Sequence, residues 1–481
     1  MDVIVVGAGI SGLAAAHRVR QLAPDAHVSI VEAADRVGGK LSVSAVGGIA
    51  VDEGAEAFLV RVPEGVELVK AAGLAGELVH PATTAARVVV DGAPRPLPPG
   101  TVMGVPVAAD PIRELLGEDA ARAVAEEPTR PGEPLHEDIA VGRLVERRLG
   151  RVFVDRLVDP LLGGVYAGRA DELSLRATVP GLYAALGHTG SLVEAATAAS
   201  RPHPAPPGGA APGGPVFGSL RGGLGTLPAA VLAASGAQLH TGLPVREIHR
   251  TATGFRLVAG PVAEPTVLEA DAVIVAVPAG QAAPMLRTVA PAAAVELAAI
   301  EYAGVGLVTV VLPAVELPAG SGLLVPAVER RTVKALTYFT RKWPDLIGAG
   351  SRTGAAVGAV SVLRASVGRH GEEAVLDRDD ADLVRLVLAD LAALTGITAA
   401  PLATRVTRWT DSLPQYAVGH VDRVRRAHQA AASVPGLALC GAAYEGVGVP
   451  ACVRSGTRAA EAALAGRMTS GNDEQGESSH G

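Results

Sequence analysis

The first forty residues constrain this chain more than any other stretch. Val3-Ile4-Val5-Val6 is a β-branched run that reads as a buried strand. It breaks at Gly7-Ala8-Gly9-Ile10-Ser11-Gly12 and passes directly into Leu13-Ala14-Ala15-Ala16, a helix-forming run. A second apolar run, Val28-Ser29-Ile30-Val31, ends on Glu32, twenty positions beyond Gly12. Strand, glycine turn, helix, strand and acid in that order predict a dinucleotide cradle. Gly7 permits the tight turn, Gly9 lets the main chain approach a pyrophosphate, and Gly12 lets the helix pack close to the sheet. The pyrophosphate is expected on free N–H groups at the positive end of the helix, with Glu32 accepting from the ribose hydroxyls.

The continuation favours FAD over NAD. Ala33-Ala34-Asp35-Arg36-Val37-Gly38-Gly39-Lys40-Leu41 carries a second glycine pair, which lets backbone pass close to a ligand. Arg36 and Lys40 bring positive charge to where a phosphate would lie, an element that NAD-dependent dehydrogenases usually lack. Val51-Asp52-Glu53-Gly54-Ala55-Glu56-Ala57-Phe58 follows as another tight turn with acids. This arrangement resembles the flavin amine oxidase and phytoene desaturase superfamily.

The chain has 481 residues, enough for about three domain-sized units. A net charge of −7 and the lack of a basic stripe with interleaved aromatics argue against nucleic acid. Cys440 and Cys452 are too few for a disulfide scaffold, and no metal-ligand spacing occurs, so no metal is expected. No basic segment with a cleavage site opens the chain. The apolar run from Tyr302 to Val315 is broken by glycines and too short to span a bilayer. The expectation is a cytoplasmic protein without a transmembrane segment, at most peripheral on a membrane.

The predicted fold is α/β, with a discontinuous Rossmann-like FAD-binding domain, a mixed-sheet substrate domain and a helical subdomain. The FAD-binding domain is assigned to 1–60, 218–295 and 405–467, because residues 1–60 supply only part of a sheet. The runs around 219–228 and 270–278, then 436–441 with a helix from about Val453 to Ala465, look like its missing pieces. Residues 61–104 and 296–404 are assigned to the substrate-binding domain. Residues 105–200, with apolar side chains at three and four spacing, are assigned to the helical subdomain. Residues 201–217 read as a Pro/Gly linker and 468–481 as a disordered tail.

Three further strings narrow the reading. They are Asp159-Pro160-Leu161-Leu162-Gly163-Gly164-Val165-Tyr166-Ala167-Gly168 (followed by Leu173 to Thr178), Leu413-Pro414-Gln415-Tyr416-Ala417-Val418-Gly419-His420, and Gly441 to Cys452. Together they closely resemble the protoporphyrinogen/coproporphyrinogen oxidase family of oxygen-dependent haem-biosynthesis flavoenzymes. The likeness covers nearly the whole chain, and the Gly38-Gly39-Lys40 form is similar to the Gram-positive bacterial branch, whose substrate is coproporphyrinogen III. The chain departs from the family at Ala55 and Ala57, where relatives often have Pro and Ser. It departs again at Ala451, where Asp is common, and at Glu56, longer than the usual Asp.

That resemblance implies FAD contacts at Gly7, Ala8, Gly9, Ile10, Ser11, Gly12, Glu32, Ala33, Arg36, Gly39, Lys40, Gly54, Ala55, Glu56, Ala57, Val245, Trp409, Val447, Gly448 and Val449. It implies six-electron oxidation of a porphyrinogen, with FAD carrying two electrons per cycle and three O2 reduced to three H2O2. No side-chain base emerges, and the main chain at Gly168 is the candidate proton acceptor. Arg61, Arg87, Arg143, Arg176 and Tyr166 are candidate substrate contacts, since coproporphyrinogen carries four propionates. Each arginine also reads as a solvated surface charge, and Gln415, Tyr416 and His420 as structural loop residues. The family's product passes to a metal-inserting enzyme, which implies a transient partner. The alternatives are protoporphyrinogen IX oxidation, flavin amine oxidation, carotenoid desaturation, and a non-catalytic protein that binds porphyrin or FAD.

Overall fold

The computed structural model describes residues 1–130, 132–201, 214–349 and 360–468. Most of the expected linker and nearly all of the expected tail lie outside the described residues.

One sheet is wholly parallel. Its five strands run in the order Gln238–His240, His27–Val31, Asp2–Val6, Ala272–Val275 and Leu437–Leu439. Three distant stretches of chain therefore share one sheet. Its inner strands are buried on both faces, as parallel sheets require, while the edge strand Gln238–His240 is partly exposed. Val3 and Val5 pack with Leu13, Leu227 and Ala460 on one face, under the helices Ile10–Leu22, Leu227–Ser235 and Val449–Met468. Ile4 and Val6 point the other way and pack with Phe255, Leu257, Leu286 and Leu297.

The C-terminal helix begins four residues before the position expected. Pro450 falls in its first turn, where a missing N–H costs nothing, so proline does not delay the start.

The second sheet has seven strands in the order Ala403–Pro414, Tyr302–Pro313, Val360–Val367, Val333–Tyr338, Gly322–Leu324, Ala86–Val90 and Ala93–Pro96. All neighbours are antiparallel except Gly322–Leu324 with Ala86–Val90. The boundary expected at 405 falls inside the strand Ala403–Pro414, which pairs along Tyr302–Pro313. The place of that strand follows from pairing with residues about a hundred positions away.

The intervening helices pack around Phe153, Leu157, Leu162 and Tyr166. A wide turn at Val154–Val158 leads into the helix Asp159–Tyr166. Pro160, which has no N–H to offer one turn back, accounts for the widening. The helix ends on Ala167, left-handed at φ 51°.

Candidate active site

The glycine turn forms an anion cradle. Gly7 N–H donates to Val31 O at 2.8 Å, which fixes the turn to the neighbouring strand. A Cβ on Gly12 would lie 2.0 Å from Gly7 O, so the helix rests directly on the turn. A Cβ on Gly9 would meet no heavy atom within 4 Å, so the space beside the helix start is open. No side chain caps this helix and no acid lies in its first turn. Its leading N–H groups are thus available to an anion. Glu32 faces the same turn, accepting from Ala8 N–H at 2.7 Å and from Ala34 N–H at 2.8 Å. Next to it, Glu32 N–H donates to His240 O, Leu243 N–H to Glu32 O and Gly242 N–H to Ala34 O. These bonds bring the start of the Val245 strand beside Glu32 and the exposed Ala33.

The second glycine pair closes over the first. Gly9 bridges Gly38, and Gly38 N–H donates to Ala8 O at 2.9 Å. A Cβ on Gly39 would stand 3.4 Å from Gly9 Cα. Arg36 donates to Gly39 O at 2.9 Å, and its guanidinium carbon is 5.9 Å from the centre of the Trp409 ring. Burial pulls the Lys40 ammonium below its usual range, opposed by the charges of Cys452 and Asp411. A Cβ on Gly54 would fall 1.9 Å from Lys40 O, so the acid turn lies directly against this loop.

The acid turn is held by residues far away in sequence. Arg364 donates to Asp52 O at 2.7 Å and to Gly54 O at 2.9 Å, and its other nitrogen pairs with Glu56 at 2.6 Å. Lys342 also pairs with Glu56 at 2.6 Å. Trp409 Nε1 donates to Glu53 O at 2.7 Å, while Ser44 and Thr407 hydroxyls donate to the Glu53 carboxylate. Two acids four residues apart diverge as a result. Burial pushes Asp52 up to about 6 despite N–H groups from Gly225 and Leu224. Burial also pushes Glu56 upward, but Arg364 and Lys342 more than reverse this and leave it at about 2. The Glu56 carboxylate is thus committed to two cations, and only its main chain remains for a cofactor.

The three later strings meet at the end of the strand Ala403–Pro414. Gln415 Nε2 donates to Tyr166 O at 2.9 Å and to Leu413 O at 3.0 Å. Ser174 N–H donates to Tyr416 O at 2.7 Å. Tyr416 Oη reaches Ala442 O and Gly446 N–H. Burial lowers His420 to about 4, with nearby Arg423 adding to the effect, so the ring is neutral in the folded protein. Its folded pKa lies below the ordinary value of about 6.5, so its contribution to stability is present above that pH and lost as pH falls toward 4. Replacing His420 with Asn is expected to flatten the loss of stability between these values, by at most about 3 kcal/mol, as read by urea unfolding across that range.

The substrate-candidate arginines do not converge. Arg61 donates to Gly214 O, Arg87 to Pro94 O, and Arg176 pairs with Asp422 at 3.2 Å, while Arg143 is exposed on the helix Val141–Leu149. Arg176 opens onto a cavity of about 650 Å³ that includes Tyr416, His428, Tyr444 and Arg458. Tyr166 is buried, 5.4 Å from the Tyr416 ring. Gly168 packs against Gln415, and Val447, Gly448 and Val449 lead into the C-terminal helix. Sequence reading missed Arg364 and Lys342. The available signal was an arginine in the middle of the apolar run Val360–Val367, where a buried charge needs partners.

The family model of flavin-containing amine oxidoreductases matches residues 10–464. The chain belongs to that family. Its cofactor is FAD, which suits the open glycine cradle and the oriented Glu32, and it is an oxidase. The family member named coproporphyrinogen III oxidase from Mycobacterium tuberculosis (strain ATCC 25618 / H37Rv) is 37% identical over 468 residues, covering 95% of each chain. The one of the same name from Bacillus subtilis (strain 168) is 32% identical over 479 residues, covering 96% of this chain and 97% of its own. A crystal structure described as a protoporphyrinogen oxidase from Exiguobacterium sp. 255-15 superposes with a TM-score of 0.81 at 31% identity, covering 96% of this chain and 98% of its own. Among the described residues of this flavoprotein, no helix is long and apolar enough to cross a membrane, and no group of three metal-ligating side chains occurs.

Proposed function

We propose that this flavoprotein oxidises coproporphyrinogen III to coproporphyrin III in haem biosynthesis, with dioxygen as the terminal oxidant. The observation that carries the reading is the near full-length similarity to proteins named for that reaction. The contacts of Gln415 and Tyr416, which join the three strings in space, support it. The flavin supplies a two-electron hydride acceptor when bound, so three turnovers complete the six-electron change.

The chain's own part is to bind, orient and exclude water. The turn from Gly7 to Gly12, with Glu32 and Arg36, holds the dinucleotide end. Gly54 to Ala57, Trp409 and Val447 to Val449 line the flavin end. Ala167, Ala303, Val305 and Leu307 form a small apolar cluster against Trp409 and Leu413, a dry wall for the macrocycle. Of the carbonyls in the turn that follows the helix Asp159–Tyr166, Tyr166 O accepts from Gln415 and Ala167 O from His370 N–H at 2.7 Å. Gly168 O has no donor among the described residues, and we assign it to receive a pyrrole N–H. A side chain at Gly168 would start 2.2 Å from Gln415 Oε1, so Gly168→Val displaces the turn and does not isolate the carbonyl. Arg87, whose buried Nε has no partner among the described residues, is the first choice among the four arginines for a propionate. The reading places the protein in the cytoplasm, handing its product to a metal-inserting enzyme.

Anaerobic mixing with coproporphyrinogen III tests the proposal. The visible flavin band is expected to bleach within one turnover, and protoporphyrinogen IX to bleach it more slowly. Faster bleaching with protoporphyrinogen IX would move the assignment to that substrate. Bleaching by simple amines alone would make the protein an amine oxidase.

A further inference from the structure

One buried phenol holds the loop that leads into the C-terminal helix. Tyr416 Oη donates to Ala442 O at 2.5 Å and accepts from Gly446 N–H at 2.8 Å. The ring is 1% exposed and stacks on His420, with centroids 4.0 Å apart and planes 16° apart. His420 in turn approaches Tyr444 O at 3.3 Å, within the same loop. The backbone of Tyr416 is tied to the helical part of the molecule through Ser174. The phenol therefore rests on a fixed base while both its hydrogen bonds go to the loop.

The loop has little rigidity of its own. Gly441 and Gly446 adopt φ values of 139° and 140°, open to glycine and rare for other residues. Gly441 N–H finds Ser455 Oγ at 3.1 Å, which anchors the near end. Past Gly441, Tyr416 Oη holds the Gly446 N–H, while Arg458 pairs with Glu445 at 2.7 Å and Cys452 Sγ lies 3.8 Å from Gly446 O. Three residues later the helix Val449–Met468 begins, and it packs tightly on the first helix: a Cβ on Gly456 would lie 2.1 Å from Ser11 O. The first two turns of this helix thus run to the start of the helix that follows the glycine turn.

We propose that Tyr416 is a positioning residue for the flavin, setting the Gly446–Val449 backbone and so favouring reduced over oxidised cofactor. Reduction builds negative charge on the pyrimidine edge, where fixed N–H groups and a helix N-terminus stabilise it without reorganisation. The inference rests on the placement of that edge at Val447 to Val449 and is independent of which substrate the enzyme takes.

The test is the flavin midpoint potential of the holoenzyme carrying Tyr416→Phe, which keeps the ring and its stack but loses both hydrogen bonds. The expected result is about a tenfold loss of preference for reduced FAD, equal to a fall of about 30 mV for a two-electron couple. His420→Ala removes the stack and the approach to Tyr444 O but leaves both hydrogen bonds of the phenol to Ala442 and Gly446, and its potential is expected to stay close to the parent's. A purely structural phenol would lower the melting temperature of Tyr416→Phe and leave its potential unchanged, which overturns the proposal. If that variant does not fold, site-specific difluorotyrosine at 416 keeps the ring and alters both hydrogen bonds. A potential unmoved by that replacement is equally decisive against the idea. Dithionite and a reference dye suffice for the measurement, so a failure here is separable from an error about the porphyrinogen.

Discussion

Replacing Gly12 with valine is expected to give a colourless protein that retains no FAD on purification. The new Cβ would begin 2.0 Å from Gly7 O and 3.2 Å from Ala276 Cβ. Neither neighbour can swing aside, because Gly7 is bonded to Val31 and Ala276 N–H donates to Val6 O. The helix must lift off the sheet, and its N–H groups leave the position that holds the pyrophosphate. Overpacking of this kind costs about 3 kcal/mol, which corresponds to more than a hundredfold in affinity if it falls on binding. Gly9→Ala makes the telling comparison. Its Cβ meets nothing within 4 Å and the residue's φ of −70° suits alanine, so the fold should be untouched. The methyl would instead occupy the space left for the ligand. Fluorescence titration of both apo-proteins with FAD, beside their melting curves, separates the effects. A Gly9→Ala variant that binds FAD like the parent would remove the pyrophosphate from this turn.

The second large effect is expected at Arg364. Changing it to methionine deletes the donors to Asp52 O and Gly54 O and leaves Glu56 with Lys342 alone. Breaking one side of a buried ionic group costs about 3–5 kcal/mol, because the remaining charge stays out of water. The loop from Asp52 to Ala57 should loosen, and FAD occupancy should fall with stability. The acid limb gives a sharper signature. Glu56 is held at about 2 when folded, below the usual carboxylate value of about 4.3. Its contribution is therefore complete above that ordinary value and is lost as pH falls through about 2. Without Arg364 the folded carboxyl moves up toward its unfolded value, so less of this contribution exists at neutral pH and less remains to be lost in acid. Urea unfolding at neutral pH and near pH 4 should show the variant, already the less stable at neutral pH, losing less than the parent between the two. Equal pH dependence would mean that Arg364 does not set the charge state of Glu56.

Both predictions concern contacts of different reach, and that difference explains what could be read from residues alone. The order of elements from Asp2 to Val31 follows short-range rules: a β-branched run, glycines at fixed offsets, an alanine-rich helix and an acid close on themselves within forty residues. The need for more strands than residues 1–60 supply was equally legible, because an isolated βαβ unit cannot bury both faces of its sheet. Glu56 shows where this reasoning stops. As a residue in an acid turn it resembles a cofactor contact; in the folded chain its carboxylate is enclosed by Lys342 and Arg364, 286 and 308 positions away. The four arginines show the same limit, since a propionate pocket needs convergence and spacing along a chain carries no information about it. Local chemistry determined that this protein would cradle a dinucleotide. Tertiary structure alone decided which distant side chains brace the cradle, because a hydrogen bond between residues hundreds of positions apart depends on the path of the whole backbone.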